Sequence, residues 1–157
     1  MDSRKKRHAA VAQDGQVAPL PELRVDVISA FALHRDALVA TLVDSGAFTV
    51  VEEHADASGG RDYGVTVIDL PSLATATVRE IVQSRPTVAW GGYLHTGAVA
   101  QLVDIGLRGY ISVIGSQRDL VIAAVRVASG EVSLPELDSS VVRLTPAEQR
   151  VCRAYLV

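Results

Sequence analysis

Asp69 is the residue whose setting first suggests chemistry. It ends the run VTVID at residues 65–69, whose first four residues are all β-branched, as in a buried β-strand, and Pro71 follows closely. In a parallel sheet, functional groups gather beyond the carboxyl ends of the strands. We therefore expect the Asp69 carboxylate to lie at such an edge, where its role depends on the side chains that the rest of the chain places beside it.

Ser29 and His34 are the first candidates for such partners. With Asp69 they contain the three residue types of a hydrolytic triad. No G-x-S-x-G elbow surrounds the serine, however, and His34 falls inside a predicted helix. We therefore predict that the protein is not an enzyme.

Other possible sites are less specific. His54 and Asp56 are two residues apart and could suggest a metal, but no second group in the sequence has ligand spacing. The run SGGRDYG at 58–64 lacks the glycine spacing of a phosphate-binding loop. Trp90 is interpreted as a core residue, with contact to a small ligand as the alternative. No metal and no cofactor are predicted.

Composition limits the class of protein. The chain has 157 residues, of which 48% are apolar, enough for one domain with a real core. Its net charge of −3 gives no overall electrostatic attraction to nucleic acid or to an anionic membrane. The single cysteine, Cys152, excludes an internal disulfide and fits a cytoplasmic location. Residues 1–22 lack periodicity and are predicted to be a disordered basic tail.

Strand-like and helix-like stretches alternate from residue 23 onward. The predicted strands are 23–29, 47–53, 65–69, 86–92 and 109–113, and the predicted helices are 32–46, 71–85, 95–106 and 116–130. Gly46 is expected to end the first helix and Ser116, with Asp119, to cap the last. This alternation predicts an α/β fold with a doubly wound, five-stranded parallel sheet.

Residues 54–64 are too few and too polar for a complete helix between the second and third strands. That helix is therefore predicted to be shortened or missing. Its absence would leave apolar sheet surface near Val51 and Val67 in need of another cover.

The last third of the chain resembles a known family. GLRGYISVIGSQRDLVIAAVRVASGEVSLPEL, at 106–137, resembles response-regulator receiver domains, above all those joined to a LuxR/NarL-type helix-turn-helix. LTPAEQRV, at 144–151, is similar to the opening of that DNA-binding domain, and its Thr145 and Glu148 form a capping box. The resemblance implies a receiver (flavodoxin-like) domain at 23–130, a linker at 131–143, and the first helix of a truncated helix-turn-helix at 144–157.

In the family, an aspartate at the tip of the third strand accepts a phosphoryl group, and Asp69 matches it. An acidic pair after the first strand holds Mg²⁺ in that family, and the matching positions here are Ser29 and Ala30. A hydroxyl residue after the fourth strand and a lysine after the fifth complete the pocket. Their positions are occupied by Gly91 and Val113.

These departures indicate an atypical receiver, or pseudoreceiver. Tyr110 matches the aromatic switch position of the fifth strand, although the hydroxyl residue that partners it in the family is missing. Losing the metal ligands and the lysine should slow aspartyl phosphorylation by roughly three or more orders of magnitude, since each ~1.4 kcal/mol is tenfold in rate. A structural role for Asp69 is favoured over residual phosphorylation.

The resemblance implies a regulatory module of a DNA-binding transcriptional regulator in a two-component system. We expect a homodimer formed through helices and strand in 95–130, and DNA binding only through the missing C-terminal domain, since the recognition helix is absent. A small ligand or a protein partner could supply the signal, and no membrane contact is expected. The alternatives are a stand-alone interaction or ligand-sensing pseudoreceiver, and a receiver that is still phosphorylated at Asp69.

Overall fold

The computed structural model describes residues 22–58, 64–92, 94 and 96–135. The predicted tail at 1–22, apart from its last residue, lies outside the described residues, as does the predicted helix at 144–157 with Thr145 and Glu148. The domain boundaries at both ends of the chain therefore stay predictions.

A five-stranded parallel sheet with helices on both faces confirms the predicted α/β fold. Its strand order is β2-β1-β3-β4-β5. The strands are β1 (Arg24–Ile28), β2 (Val50–His54), β3 (Val65–Asp69), β4 (Thr87–Trp90) and β5 (Gly109–Ile111). The helices are α1 (Ala32–Asp44), α2 (Thr75–Ser84), α3 (Thr96–Asp104) and α4 (Gln117–Ala128).

Local signals placed most boundaries well, with one clear error. Gly46 has φ +64° just after α1, and Ser116 forms a full capping box with Asp119 at the start of α4, both as predicted. The predicted helix over 71–85 is wrong in its first turn. Pro71 lies in a separate 3₁₀ turn, Leu70–Ser72, and α2 begins only at Thr75.

Two apolar clusters lie on opposite faces of the sheet. One packs under α1 and α4, and the other packs under α2 and α3. All five residues of β3 are buried, which fits a central strand covered on both faces. The central position of β3 places Asp69 at the middle of the carboxyl edge.

The prediction that Val51 and Val67 would lack cover is wrong. Both pack with the cluster under α1 and α4, whereas the expected helix between β2 and β3 belongs to the opposite face. Residues 55–58 after β2 are not helical, and 59–63 lie outside the described residues. Because strand side chains alternate between faces, the opposite face carries three polar register partners at this end of β1, β2 and β3: Asp26, Glu52 and Thr66.

Asp26 is the centre of a buried ionic cluster on this face. Arg85 Nη1 lies 3.3 Å from Asp26 Oδ2, and His54 Nε2 lies 3.4 Å from Asp26 Oδ1. A second Arg85 nitrogen, Nη2, donates to the carbonyl of Ala57 at 3.3 Å. Arg85, whose side chain is 7% exposed, thereby ties the segment after β2 to the sheet.

Burial raises the pKa of Asp26, and the positive charges of His54 and Arg85 offset part of that rise. The cluster holds the segment after β2 to the sheet, but burying its charges carries a desolvation penalty. Its net contribution to the free energy of unfolding is therefore smaller than its ion pairs suggest.

The predicted linker begins as part of the sheet. Ser133 forms a parallel bridge with Gly109, its N–H donating to Arg108 O at 2.8 Å while Tyr110 N–H donates to Ser133 O at 3.1 Å. Leu134 packs against the cluster under α2 and α3. The chain thus runs along β5 before it leaves the described residues.

Candidate functional site

The predicted site residues meet at the carboxyl edge of the sheet. Asp69 ends β3, Ser29 follows β1, and Gly91 follows β4. Asp69 and Ser29 are fully buried, and Gly91 is also buried. The structure therefore brings together the side chains that parallel strands were expected to place at one edge.

One oxygen of the Asp69 carboxylate is enclosed by two donors. Ser29 Oγ lies 2.7 Å and His34 Nδ1 lies 2.9 Å from Asp69 Oδ2. Ser29 Oγ in turn accepts the Phe31 N–H at 3.1 Å. The other oxygen, Oδ1, is buried and has no hydrogen-bond partner in the described part of the chain.

His34 covers the carboxylate from the first turn of α1, where it is the third residue. Its ring makes edge-to-face contacts with Phe31 and with Trp90, each at 5.4 Å between ring centroids. Trp90 itself packs against the apolar cluster under α1 and α4, as a core residue would, and also forms a wall beside His34. The His34 side chain is 42% exposed, so it forms the outer surface of the site.

Ser29, His34 and Asp69 are close together but do not form a hydrolytic relay. In a triad the imidazole stands between the hydroxyl and the carboxylate and takes the hydroxyl proton. Here the carboxylate stands in the middle, because both other side chains bind the same oxygen, Oδ2. The sequence argument against hydrolysis agrees with this geometry, but it missed the contact between His34 and Asp69.

A signal for that contact exists in the sequence. His34 follows the end of β1 by six residues and lies in the first turn of the helix, at the same edge as the tip of the neighbouring strand β3. A polar side chain at such a position can reach across to that tip. The spacing of these residues does not determine the rotamer in which the His34 side chain contacts Asp69.

Gly91 stands where the family has a hydroxyl residue, and the structure explains the absence of a side chain. Its φ is +96°, and a Cβ added there would lie 2.9 Å from Pro71 Cδ and 3.6 Å from Asp69 Oδ1. Pro71 therefore fills the space that a Ser or Thr would need. On the side of Asp69 Oδ1, the space beside the Gly91 backbone is taken by the ring of Pro71.

The other two pocket positions, Ala30 and Val113, carry neither a side chain that could bind a metal ion nor one that could neutralise a phosphoryl group. Ala30 N–H donates to Ser72 Oγ at 3.1 Å, and Ser72 Oγ donates to the carbonyl of Asp69 at 2.9 Å. Val113 is 44% exposed and offers only an apolar surface where the family has a lysine.

Tyr110 has its hydroxyl satisfied by the loop after β4. The Tyr110 hydroxyl donates to Gly92 O at 3.0 Å and accepts the Leu94 N–H at 3.2 Å. The ring is buried in the cluster under α2 and α3. The assignment of Tyr110 as a switch residue stays a prediction.

The residues at the strand tip do not fit a Mg²⁺ site. Mg²⁺ needs several oxygen ligands in octahedral geometry, whereas Asp69 offers one oxygen held by Ser29 and His34 and one packed against Gly91. Over residues 22–58, 64–92, 94 and 96–135, no group of three or more His, Cys, Asp or Glu residues could hold a metal.

Asp56, considered with His54 as a metal pair, accepts the Ser58 N–H at 2.9 Å. Its hydrogen bonds with Ser58 lower the pKa of that carboxyl.

Comparison with known proteins identifies the fold. A LuxR-family two-component response regulator from an Aurantimonas species matches with a TM-score of 0.64 at 18% identity, over 83% of this chain and 99% of that one. The response regulator RcsB from Salmonella typhimurium matches with a TM-score of 0.63 at 18% identity, over 87% and 78%. A pilus assembly protein, CpaE, from Burkholderia thailandensis matches with a TM-score of 0.58 at 18% identity, over 68% and 98%.

No protein-family model and no curated protein matches the sequence. In the part of the chain that the structure describes, no helix is long and apolar enough to cross a membrane. The strand order, the helices on both faces and these structural likenesses agree on one conclusion: the chain has the receiver (flavodoxin-like) fold of response regulators.

Proposed function

We propose that this chain is a regulatory, receiver-like module of a DNA-binding transcriptional regulator that acts by dimerisation and without ordinary aspartyl phosphorylation. The observation that carries the proposal is the state of Asp69. Its side chain is buried, its Oδ2 is held by Ser29 and His34, and the described residues around it offer no ligand set for Mg²⁺.

The chemistry of phosphoryl transfer supports this interpretation. The acceptor oxygen must approach phosphorus in line with the leaving group, and a metal ion must neutralise the charge that builds on the phosphoryl oxygens. A phosphoryl group on Oδ2 would displace both Ser29 and His34, and hydrogen bonds to a charged group are worth about 1.5–3 kcal/mol each. A site whose residues cannot hold a metal ion also loses its charge stabilisation, which is worth several kcal/mol of the barrier.

The dimer proposal concerns α3, β5 and α4, the range 95–130. Ile122 in α4 is 43% exposed, and Ile114, in the loop before α4, is 75% exposed. Apolar side chains at such positions are consistent with a surface that pairs with a second copy. Operator binding is proposed only for a complete C-terminal domain, of which residues 144–157 resemble the first helix.

The pocket is tested with acetyl phosphate and Mg²⁺, followed by intact-mass measurement. We expect no added phosphoryl mass. A hydroxylamine-sensitive adduct that disappears in Asp69→Asn would overturn the proposal, because an acyl phosphate forms only on a carboxylate.

The dimer is tested by size-exclusion chromatography with light scattering. We expect Ile122→Glu to convert a dimer into a monomer. Leu33→Glu is the matched control, since Leu33 is 82% exposed but lies on α1, outside the proposed interface. A wild-type monomer at high concentration, or an equal effect of both variants, would contradict this interface.

A stand-alone interaction or ligand-sensing module is the second candidate. One structural match favours it. That match is to a pilus assembly protein, covers 98% of that protein's chain, and carries a name that does not refer to transcription. A pull-down in which the chain retains a protein partner but no DNA-binding relative would favour this second candidate. Residual phosphorylation at Asp69 is the third, and the acetyl phosphate experiment decides it.

A further inference from the structure

Two histidines lie beside buried aspartates, and their rings are oriented in opposite ways. His34 presents Nδ1 to Asp69 Oδ2 at 2.9 Å. His54 presents Nε2 to Asp26 Oδ1 at 3.4 Å, and that Nε2 atom is buried. Only His34 therefore keeps its Nε2 on the side of the ring away from its carboxylate.

The contact with Asp69 sets the chemistry of the His34 ring. An ionised carboxylate accepts a hydrogen bond, so the proton of the neutral imidazole stays on Nδ1 and the lone pair stays on Nε2. The ring cannot turn freely, because Phe31 and Trp90 contact it from two sides. A histidine that is oriented by a carboxylate and keeps a free ring nitrogen is the arrangement of a nucleophile or general base.

The surroundings of His34 are also compatible with an anion. The His34 side chain is 42% exposed, and within the described residues no hydrogen bond to Nε2 is present. The first turn of α1 contains no acidic residue, and its N-cap residue, Phe31, makes no side-chain hydrogen bond to the helix. A helix N-terminus of this kind carries partial positive charge that favours a phosphate group nearby.

We propose that Nε2 of His34, and not Asp69, is the nucleophile of this site, and that it accepts a phosphoryl group from donors of the phosphoramidate class without a divalent cation. The Nε2 lone pair attacks phosphorus, the P–N bond of the donor breaks, and the nitrogen leaving group departs with a proton from solvent. The Nδ1–H of His34 stays donated to Asp69. The carboxylate stabilises the positive charge that builds on the ring, so Asp69 is a positioning residue.

The test uses the full chain with phosphoramidate in the presence of a chelator. Intact mass follows the reaction, and peptide mapping locates the adduct under alkaline conditions, in which phosphohistidine survives. We expect one adduct at His34, formed about tenfold faster than at any of His8, His54 and His95, which corresponds to roughly 1.4 kcal/mol of barrier. The adduct should be lost in acid and should survive in alkali, where an acyl phosphate on a carboxylate would hydrolyse.

Three variants separate the roles. His34→Gln keeps an N–H that can bind Asp69 and removes the nucleophile, so the fast adduct should disappear. Asp69→Asn removes the charge, and the rate at His34 should fall about tenfold, to that of the other histidines. His54→Gln is the matched control and should leave the rate unchanged.

The wild-type map decides the proposal by itself. Modification of His34 that is no faster than that of the other histidines would overturn it, as would a fast adduct that persists in His34→Gln. The proposed function fails in a different experiment, by an adduct on Asp69 with acetyl phosphate and Mg²⁺, so the two failures are distinguishable. Thermal melting of each variant verifies that the compared chains are folded.

Discussion

Asp26 and Asp69 are two buried carboxylates on adjacent strands of one sheet, and their partners differ in kind. Asp69, at the tip of β3, is held by a hydroxyl and an imidazole. Asp26, in the middle of β1, faces the guanidinium of Arg85 and the ring of His54. The edge site ends in a histidine that is 42% exposed, whereas in the central site Arg85 is 7% exposed and the Nε2 atom of His54 is buried.

The difference shows why an acid at a strand tip is not by itself a sign of phosphotransfer. The same sheet keeps a second buried acid, Asp26, in a structural setting: it binds Arg85, which in turn donates to the carbonyl of Ala57 in the segment after β2. Asp69 joins β1, β3 and the start of α1 in a comparable way. What separates the two sites chemically is access. The His34 side chain is 42% exposed, whereas the His54 side chain is 27% exposed and turns its buried Nε2 towards Asp26.

The largest expected effect is on the Asp26 cluster. Arg85→Ala leaves Asp26 and its neighbours without their buried cation, and breaking such a pair from one side costs about 3–5 kcal/mol. Urea unfolding measures the loss. Arg126→Ala is the control, because the exposed Arg126–Glu131 pair should be worth under about 1 kcal/mol. Recovery of most of the loss in an Asp26→Asn/Arg85→Ala double variant would confirm the cause, and no recovery would contradict it.

The next effect is on the Asp69 site. Ser29→Ala removes one of two donors from a buried carboxylate oxygen and should lower the free energy of unfolding by about 1–3 kcal/mol. The same urea titration measures it. A loss near zero would mean that water replaces the hydroxyl, and that the Asp69 site is far more open than the Asp26 site.

Asp26 should also change how the free energy of unfolding varies with pH. Its pKa is raised in the folded state, so between its ordinary pKa and the folded value the native protein binds more protons than the unfolded chain. The free energy of unfolding should therefore fall as pH rises through that window, by at most about 1.4 kcal/mol per pH unit. In Asp26→Asn this component should vanish. A wild-type curve with the same slope as the variant would contradict the assignment.

The smallest expected effect on stability is at an exposed serine–aspartate pair, Ser116 and Asp119, which resembles the buried pair of Ser29 and Asp69. Ser116 Oγ lies 2.7 Å from Asp119 Oδ2, the same distance as between Ser29 and Asp69, but at the exposed start of α4. Ser116→Ala should cost about 1 kcal/mol as a lost helix cap.

The pH dependence at Asp119 has the opposite sign to that at Asp26. Hydrogen bonds with Ser116 lower the pKa of Asp119, so its stabilisation is present above the ordinary Asp pKa and is lost as pH falls through the folded value. If Ser116→Ala lowers the free energy of unfolding by more than Ser29→Ala does, the expectation that the buried pair stabilises more than the exposed one is wrong.

Local signals in the sequence predicted much of the fold. The alternation of strands and helices, the glycine after α1 and the capping box of α4 depend on residues near one another in the chain, and the structure confirms them. The start of α2 was wrong because Pro71 permits both a helix start and a 3₁₀ turn, and packing beside Gly91 favours the turn.

The contacts across strands could not be predicted. Which helices cover a given side chain depends on the order and register of the strands. The alternation of Val25 and Val27 with Asp26 shows that they face opposite ways, but it assigns each face to its helices only once the sheet is known. The same holds for His34 and Arg85, which lie 35 and 59 residues from the acids they contact. Long side chains reach such partners through rotamers that no local pattern fixes.

The single tryptophan makes the most direct test possible, because Trp90 contacts the ring that covers Asp69. Its fluorescence should be followed while Mg²⁺ and then beryllofluoride, a phosphoryl mimic, are added to the full chain. If Ser29 and His34 close the carboxylate, neither addition should produce a saturable change. A saturable change that requires Mg²⁺ and disappears in Asp69→Asn would show that the acid can still receive a metal-assisted phosphoryl group.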